Sequence, residues 1–266
     1  MVRRPLGNHH DGPDTLLVTS DATQTETTQT GQSASEIEML RDLIENARVV
    51  LWDFDGPICR LFARHKAERV ATGLVEWLAG RGLHNLLSDS ERGSLDPHEV
   101  LRAVDLRHPG SDLVTELEER LTQEELRAAG SAHPTAYADP LIRTWSAVGA
   151  RLAITTNNSP KVVTAYLDDR GLTGCFAPHI YGRTADLQLL KPDPHCLNRA
   201  LVAMGAAPSA ALMIGDSPSD LAAARGAGVR FLGYARNAEK GKLLREAGAA
   251  HVVRSLEPLL RVLWSR

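Results

Sequence analysis

Cysteine is scarce in this chain: three among 266 residues, at positions 59, 175 and 196. So few, scattered and odd in number, they exclude a disulfide framework and fit a reducing, cytoplasmic setting. A dominant charge is lacking too. The formal net charge is −3 and the isoelectric point about 6.4, which leaves no electrostatic case for nucleic acid or an anionic membrane as the main partner. No apolar run approaches the ~20 residues of a membrane span. None of signal-peptide length follows Met1-Val2-Arg3-Arg4-Pro5, so no secretory signal is expected. The 10 histidines show no H-x-x-x-H or similar ligand spacing. Cys59 is expected to be a buried small hydrophobe.

What is present suffices for a sizeable core, since 43% of the residues are hydrophobic. Residues 1–36 stand apart: the stretch from Asp21 to Ser33 is polar, Thr/Gln-rich and without large apolar groups. Such a segment cannot offset its ordering entropy by burial and is expected to be disordered. From Ser35 an amphipathic helix carries Leu40, Leu43 and Ile44. Helical spacing recurs over Ala63–Leu78, Pro97–Val104 and Leu113–Ala129, whereas after Ala150 strand and helix patterns alternate. The organisation predicted is an α/β core, 37–62 with 136–266, interrupted by a helical insertion over 63–135. Alternation of this kind implies a doubly wound, Rossmann-like parallel sheet with helices on both faces.

Four motifs fall where such a sheet builds its site, at strand ends and helix starts. Asp53-Phe54-Asp55-Gly56 follows the apolar run Val49–Trp52. Thr156-Asn157-Asn158-Ser159-Pro160 follows Arg151–Thr155. Lys191-Pro192-Asp193-Pro194 precedes a helix, and Gly215-Asp216-Ser217-Pro218-Ser219-Asp220 follows Ala211–Ile214. The Asp53–Gly56 turn alone is only suggestive, because short acidic turns arise by chance, whereas the Gly215–Asp220 pattern is rarer, at roughly a few chains per thousand. All four in order do not arise by chance.

The set resembles the haloacid dehalogenase superfamily of phosphohydrolases, from about Val49 to the C-terminus, in particular its phosphoglycolate phosphatase and β-phosphoglucomutase types with a helical cap. The resemblance implies Mg2+-dependent hydrolysis of a small phosphorylated metabolite through an aspartyl-phosphate. Asp53 would be the nucleophile, since a carboxylate can accept a phosphoryl group. Asp55, with its pKa raised by its neighbour, would be the general acid and base. The Asp53 side chain, the Asp55 carbonyl and Asp216 would hold Mg2+. Asp220 would be a further ligand or, alternatively, an acid opening its helix. Lys191 would neutralise Asp53 and the phosphoryl group. Thr156 would bind phosphate with its hydroxyl and the amides of a helix start, with Asn157 beside it.

The family usually has Thr or Ser where Pro57 stands. Proline removes a donor there, but the donors expected to face phosphate lie earlier in the turn. Arg60, in the same loop, is a candidate to reach an anionic substrate. The insertion would be a mobile cap that sets substrate choice and contributes no essential group to phosphoryl transfer. A phosphosugar mutase would keep the same core residues. A 2-haloacid dehalogenase would need neither Mg2+ nor the second acid, and a non-catalytic binding protein would not need all of Asp53, Asp55, Lys191 and Asp216. The residues leave the oligomeric state open.

Overall fold

A computed structural model describes residues 22–265. The chain divides into two units, residues 1–38 and 39–266. Residues 22–38 of the first are helical, opening α1 (Ala22–Glu45). This corrects the expectation of disorder for 22–36. Once a helix is nucleated, each further residue adds a hydrogen bond at little cost, even in a polar sequence. The part of the expected tail before Ala22 lies outside the described residues.

The second unit begins within α1, where Leu40, Leu43 and Ile44 are buried. There follow β1 (Val49–Trp52), β2 (Cys59–Arg60), α2 (Ala67–Gly80), α3 (Asp89–Arg92), α4 (Pro97–Arg107), α5 (Asp112–Ala129), β3 (His133–Pro134) and α6 (Ala138–Ala147). Next come β4 (Arg151–Thr155), α7 (Pro160–Arg170), α8 (Thr173–Phe176), β5 (Ile180–Tyr181), α9 (His195–Ala203) and β6 (Ala211–Gly215). The last elements are α10 (Pro218–Gly226), β7 (Arg230–Tyr234), α11 (Ala238–Glu246), β8 (Val252–Val253) and α12 (Glu257–Trp264). The helix expected from Ala63 starts four residues later, at Ala67. The short helix α3, opened by a Ser88–Glu91 capping box, was not legible from periodicity.

Six strands form one parallel sheet in the order β5-β4-β1-β6-β7-β8. Its centre is apolar on both faces because helices cover both. Val50 and Trp52 pack into one core with Ile154 and Leu212, while Val49 and Leu51 pack into the other with Ala153 and Met213. That period-2 division is what a strand imposes on consecutive apolar residues.

Helices α2 to α5 are inserted between β2 and β3 and surround a third core built on Leu74, Leu78, Leu101, Val104, Leu117 and Leu121. The strands that lead into and out of this insertion pair with each other, Cys59 opposite Pro134 and Arg60 opposite His133. Cys59 is fully buried, as expected. No helix among the described residues is long and apolar enough to cross a membrane.

Candidate active site

Strands β1, β4 and β6 are adjacent and parallel, so the loops after them share one edge. That edge brings together Asp53, Thr156 and Asp216. Lys191 joins them from the loop before α9, and Asp220 from the first turn of α10.

Lys191 is the centre of the site. Its buried Nζ donates to Asp53 Oδ1 at 2.8 Å, to Asp220 Oδ1 at 2.5 Å and to the Thr155 carbonyl at 2.9 Å. Burial alone would favour the neutral amine, but Asp220 and Asp53 hold it firmly protonated. Asn157 fixes the backbone behind it: Lys191 N–H donates to Asn157 Oδ1 at 2.8 Å, and Asn157 Nδ2 donates to the Lys191 carbonyl at 3.1 Å. The Asn157 side chain is therefore bonded to Lys191 through both its oxygen and its nitrogen, and its backbone N–H donates to no acceptor among the described residues.

Asp55 sits past the strand end, its Oδ1 accepting the Leu61 N–H at 2.8 Å. Burial, then the nearby Asp216 carboxylate, pushes its pKa up to about 6. The turn directly after Asp55 requires Gly56. Its φ is +128°, and a Cβ there would come within 2.5 Å of Asp216 Cγ. After it, Pro57 is accommodated in a loop held by Gly56 N–H to the Cys59 carbonyl at 2.6 Å and Thr135 Oγ1 to the Gly56 carbonyl at 2.6 Å.

The carboxylates suit a hard cation. Oxygens of Asp53, Asp216 and Asp220 lie within 4.8 Å of one another. Burial raises the pKa of both Asp53 and Asp216, neighbouring carboxylates raise it further, and Lys191 and Lys240 respectively oppose the rise. Added positive charge would relieve that strain. The Asp55 carbonyl accepts no hydrogen bond among the described residues.

Asp220 suits direct coordination less well. Its Oδ1 is taken by Lys191, and its Oδ2 accepts from the backbone of Asp216 and Ser217 and from Ser217 Oγ. It opens α10 with a capping box and anchors Lys191. Gly215 permits this, since a Cβ there would meet Asp220 Cβ at 2.5 Å.

Two cavities adjoin the site and share Asp55 and Phe62 in their walls. One of about 250 Å³ holds Asp53, Thr156 and Lys191 under Asp96 and His98 of the insertion. The other, about 760 Å³, opens beside Asp55 and Asp216 and is lined by Arg60, Lys66, Arg236 and Lys240. Arg60 is exposed at its wall.

Sequence reasoning missed two features. Lys240, from α11, pairs with Asp216 Oδ2 at 3.0 Å. More consequential is Glu125 on α5. It is fully buried and pairs with Arg183 Nη1 and Nη2, both at 3.0 Å, and with His98 Nε2 at 3.1 Å. It also accepts from Asn158 Nδ2 at 2.9 Å and from Ser159 N–H at 3.1 Å.

The helix start after Thr156, expected to be a ready site for phosphate, is thus filled by a carboxylate of the insertion, and Thr156 Oγ1 is bonded to Asn158. The insertion places a carboxylate against the loop beside the core site. The signal was legible in spacing: Glu125 lies four residues after Leu121, on the same apolar helix face.

A family model for haloacid dehalogenase-like hydrolases matches residues 47–228. The chain is 31% identical to a phosphoglycolate phosphatase of Pseudomonas savastanoi pv. phaseolicola over 222 residues, 80% of this chain and 78% of the relative. Among solved structures, CbbY from Rhodobacter sphaeroides in complex with xylulose-(1,5)bisphosphate aligns with a TM-score of 0.57 at 21% identity, covering 79% of this chain and 94% of that one. A haloacid dehalogenase-like family protein from Streptococcus pneumoniae aligns with a TM-score of 0.57 at 16% identity, covering 84% and 100%. With its motifs gathered on one sheet edge and this extent of match, the chain belongs to the haloacid dehalogenase-like hydrolases, as a phosphatase-like member with a helical insertion.

Proposed function

We propose that the protein hydrolyses the phosphate monoester of a small metabolite by way of a phosphoryl group carried on Asp53. The observation that carries this reading is Lys191, buried and bonded at once to Asp53 and Asp220 beside two further carboxylates. The nucleophile is charge-compensated in a site from which water is largely excluded.

Asp53 Oδ attacks phosphorus, and the bond from phosphorus to the leaving oxygen breaks. Asp55, whose raised pKa lets it hold a proton, delivers that proton to the leaving oxygen. The same group then takes a proton from water as the water attacks the acyl phosphate, releasing inorganic phosphate and regenerating Asp53. The Asn157 N–H is the donor left for the phosphoryl oxygens, the Thr156 hydroxyl reaching them only by giving up its bond to Asn158 Oδ1, and Lys191 balances their charge. Mg2+, held by Asp53, Asp216 and the Asp55 carbonyl, would supply the remaining positive charge and orient the phosphoryl group. Asp220 serves as the anchor of Lys191. The insertion acts as a cap over the leaving group.

Because the curated relative is named a phosphoglycolate phosphatase, 2-phosphoglycolate is the first metabolite to test, with an aryl phosphate as the generic one. Phosphate release should stop in EDTA and return with Mg2+. Full turnover in a rigorously metal-free sample would overturn the metal assignment. Conversion of a phosphosugar into its isomer without net phosphate release would replace hydrolysis by the mutase reading.

A further inference from the structure

Four buried groups and the half-buried His98, from two parts of the chain, meet where the insertion touches the core. Glu125 and Thr122 come from α5, His98 from α4, Arg183 from the loop after β5, and Asn158 from the loop after β4. The Arg183 and Glu125 side chains have no solvent exposure at all. Arg183 spends its remaining donors on Glu118 Oε1 at 2.9 Å, Thr122 Oγ1 at 2.9 Å and the Asn157 carbonyl at 3.0 Å, and its backbone N–H donates to the Asn158 carbonyl. His98 Nε2 and Arg183 Nη1 both converge on Glu125 Oε1.

Every residue from Asn157 to Ser159 is therefore tied, directly or through Arg183, to a carboxylate that belongs to the insertion. A buried charge that loses its partner is costly, and so are the freed N–H groups.

We propose that Glu125 is a positioning residue for the phosphoryl-binding loop 156–159, so that docking of the insertion completes that loop. Glu125 acts through Asn158, Ser159 and Arg183, and touches no reacting atom. Withdrawal of α5 leaves Arg183 unpaired and the start of α7 without its anion, the Asn157 N–H loses its fixed direction, and the Asn158 amide that holds the Thr156 hydroxyl is released. Loop assembly and cap closure are one event. Only the ligand-binding arm of the test below rests on the phosphatase reading.

The test uses the full chain carrying Glu125→Leu with Arg183→Met, which removes both buried charges together and leaves neither unpaired. Two quantities are read: backbone hydrogen exchange at residues 158–163, and the inhibition constant of inorganic phosphate against aryl phosphate turnover. We expect a folded variant with a melting temperature near that of the parent. Its exchange at 158–163 should be at least about tenfold faster, and its phosphate affinity at least about tenfold weaker. A folded variant with parental exchange and phosphate affinity would reduce the cluster to a purely structural role and overturn the proposal. Should the double variant not fold, Glu125→Gln, which keeps the side-chain shape, is judged by the same two criteria. If the parent itself shows no turnover, the exchange arm decides alone and the failure belongs to the phosphatase reading.

Discussion

Replacing Lys191 with methionine removes the cation that Asp53 and Asp220 share. Methionine preserves most of the stem's volume, so packing is nearly unchanged and the effect is electrostatic. Three hydrogen bonds disappear, two of them to carboxylates that stay buried. Removing one partner of a buried ion pair costs roughly 3–5 kcal/mol. For a unit of this size each kcal/mol is about 2–4 °C, so the melting temperature should fall by roughly 10 °C.

The cost must depend on pH, and its sign is fixed. Burial and the neighbouring Asp220 and Asp216 already raise Asp53 above the ordinary carboxylate range, and Lys191 is what opposes them. Without Lys191 the folded state binds a proton at Asp53 more tightly than the unfolded chain does. Stability is then fully retained below the unfolded value near 4 and lost as pH rises through the folded one. Chemical unfolding of parent and variant in EDTA, at about pH 5 and about pH 8, should show the larger deficit at pH 8. A deficit below about 1 kcal/mol at pH 8, or an equal one at both pH values, would refute the reasoning.

Asp53→Asn should leave less than about one part in a thousand of kcat/KM, a loss of at least roughly 4 kcal/mol, and rapid-quench phosphate labelling should vanish with it. Labelling that survives in Asp53→Asn but disappears in Asp55→Asn would reverse the two roles. Gly56→Ala forces a Cβ against Asp216 and demands a positive φ of a residue that resists it; unfolding should show a loss of about 2 kcal/mol or more, and steady-state assays a larger loss of turnover. Burial disfavours the charged form of His98, but Asp96 and Glu125 outweigh it and push the pKa up to about 9. The stability this gives is fully present below about pH 6.5 and disappears as pH rises through about 9. His98→Gln should flatten the alkaline limb of the stability profile by up to about 3 kcal/mol; an unchanged limb would sink the assignment.

The sheet and its site edge were legible because strand signals and chemistry coincide there. Val49–Trp52 is uniformly apolar and ends on Asp53, and β4 and β6 repeat the pattern with Thr156 and Asp216. Local spacing could not show which groups meet across long separations. Lys240 lies 24 residues from Asp216, and Arg183 lies 58 from Glu125. Asn157 read as a phosphate donor because its loop is right, yet its amide faces the Lys191 backbone. Asp220 carried two readings because an acid in the first turn of a helix serves a capping box and a metal equally well, and only its neighbours distinguish them. The polar run before Ser35 shows the opposite limit: composition spoke against order, but helix propagation from the apolar turns beyond it carried through.

The pairing of Cys59 with Pro134 and of Arg60 with His133 bears on how this chain tolerates change. Neighbouring strands lie about 4.8 Å apart, so the ends of the insertion emerge side by side from the core. Closing a loop across such a gap costs little, and the cost grows only slowly with length. Helices can be gained, lost or exchanged between those two points without pulling on β1 or α6. Chain connectivity thus sets almost no limit on the size of the inserted segment. The limit comes from the docked face instead, where a replacement segment would have to offer Arg183 a buried carboxylate and cover Leu187 and Leu190.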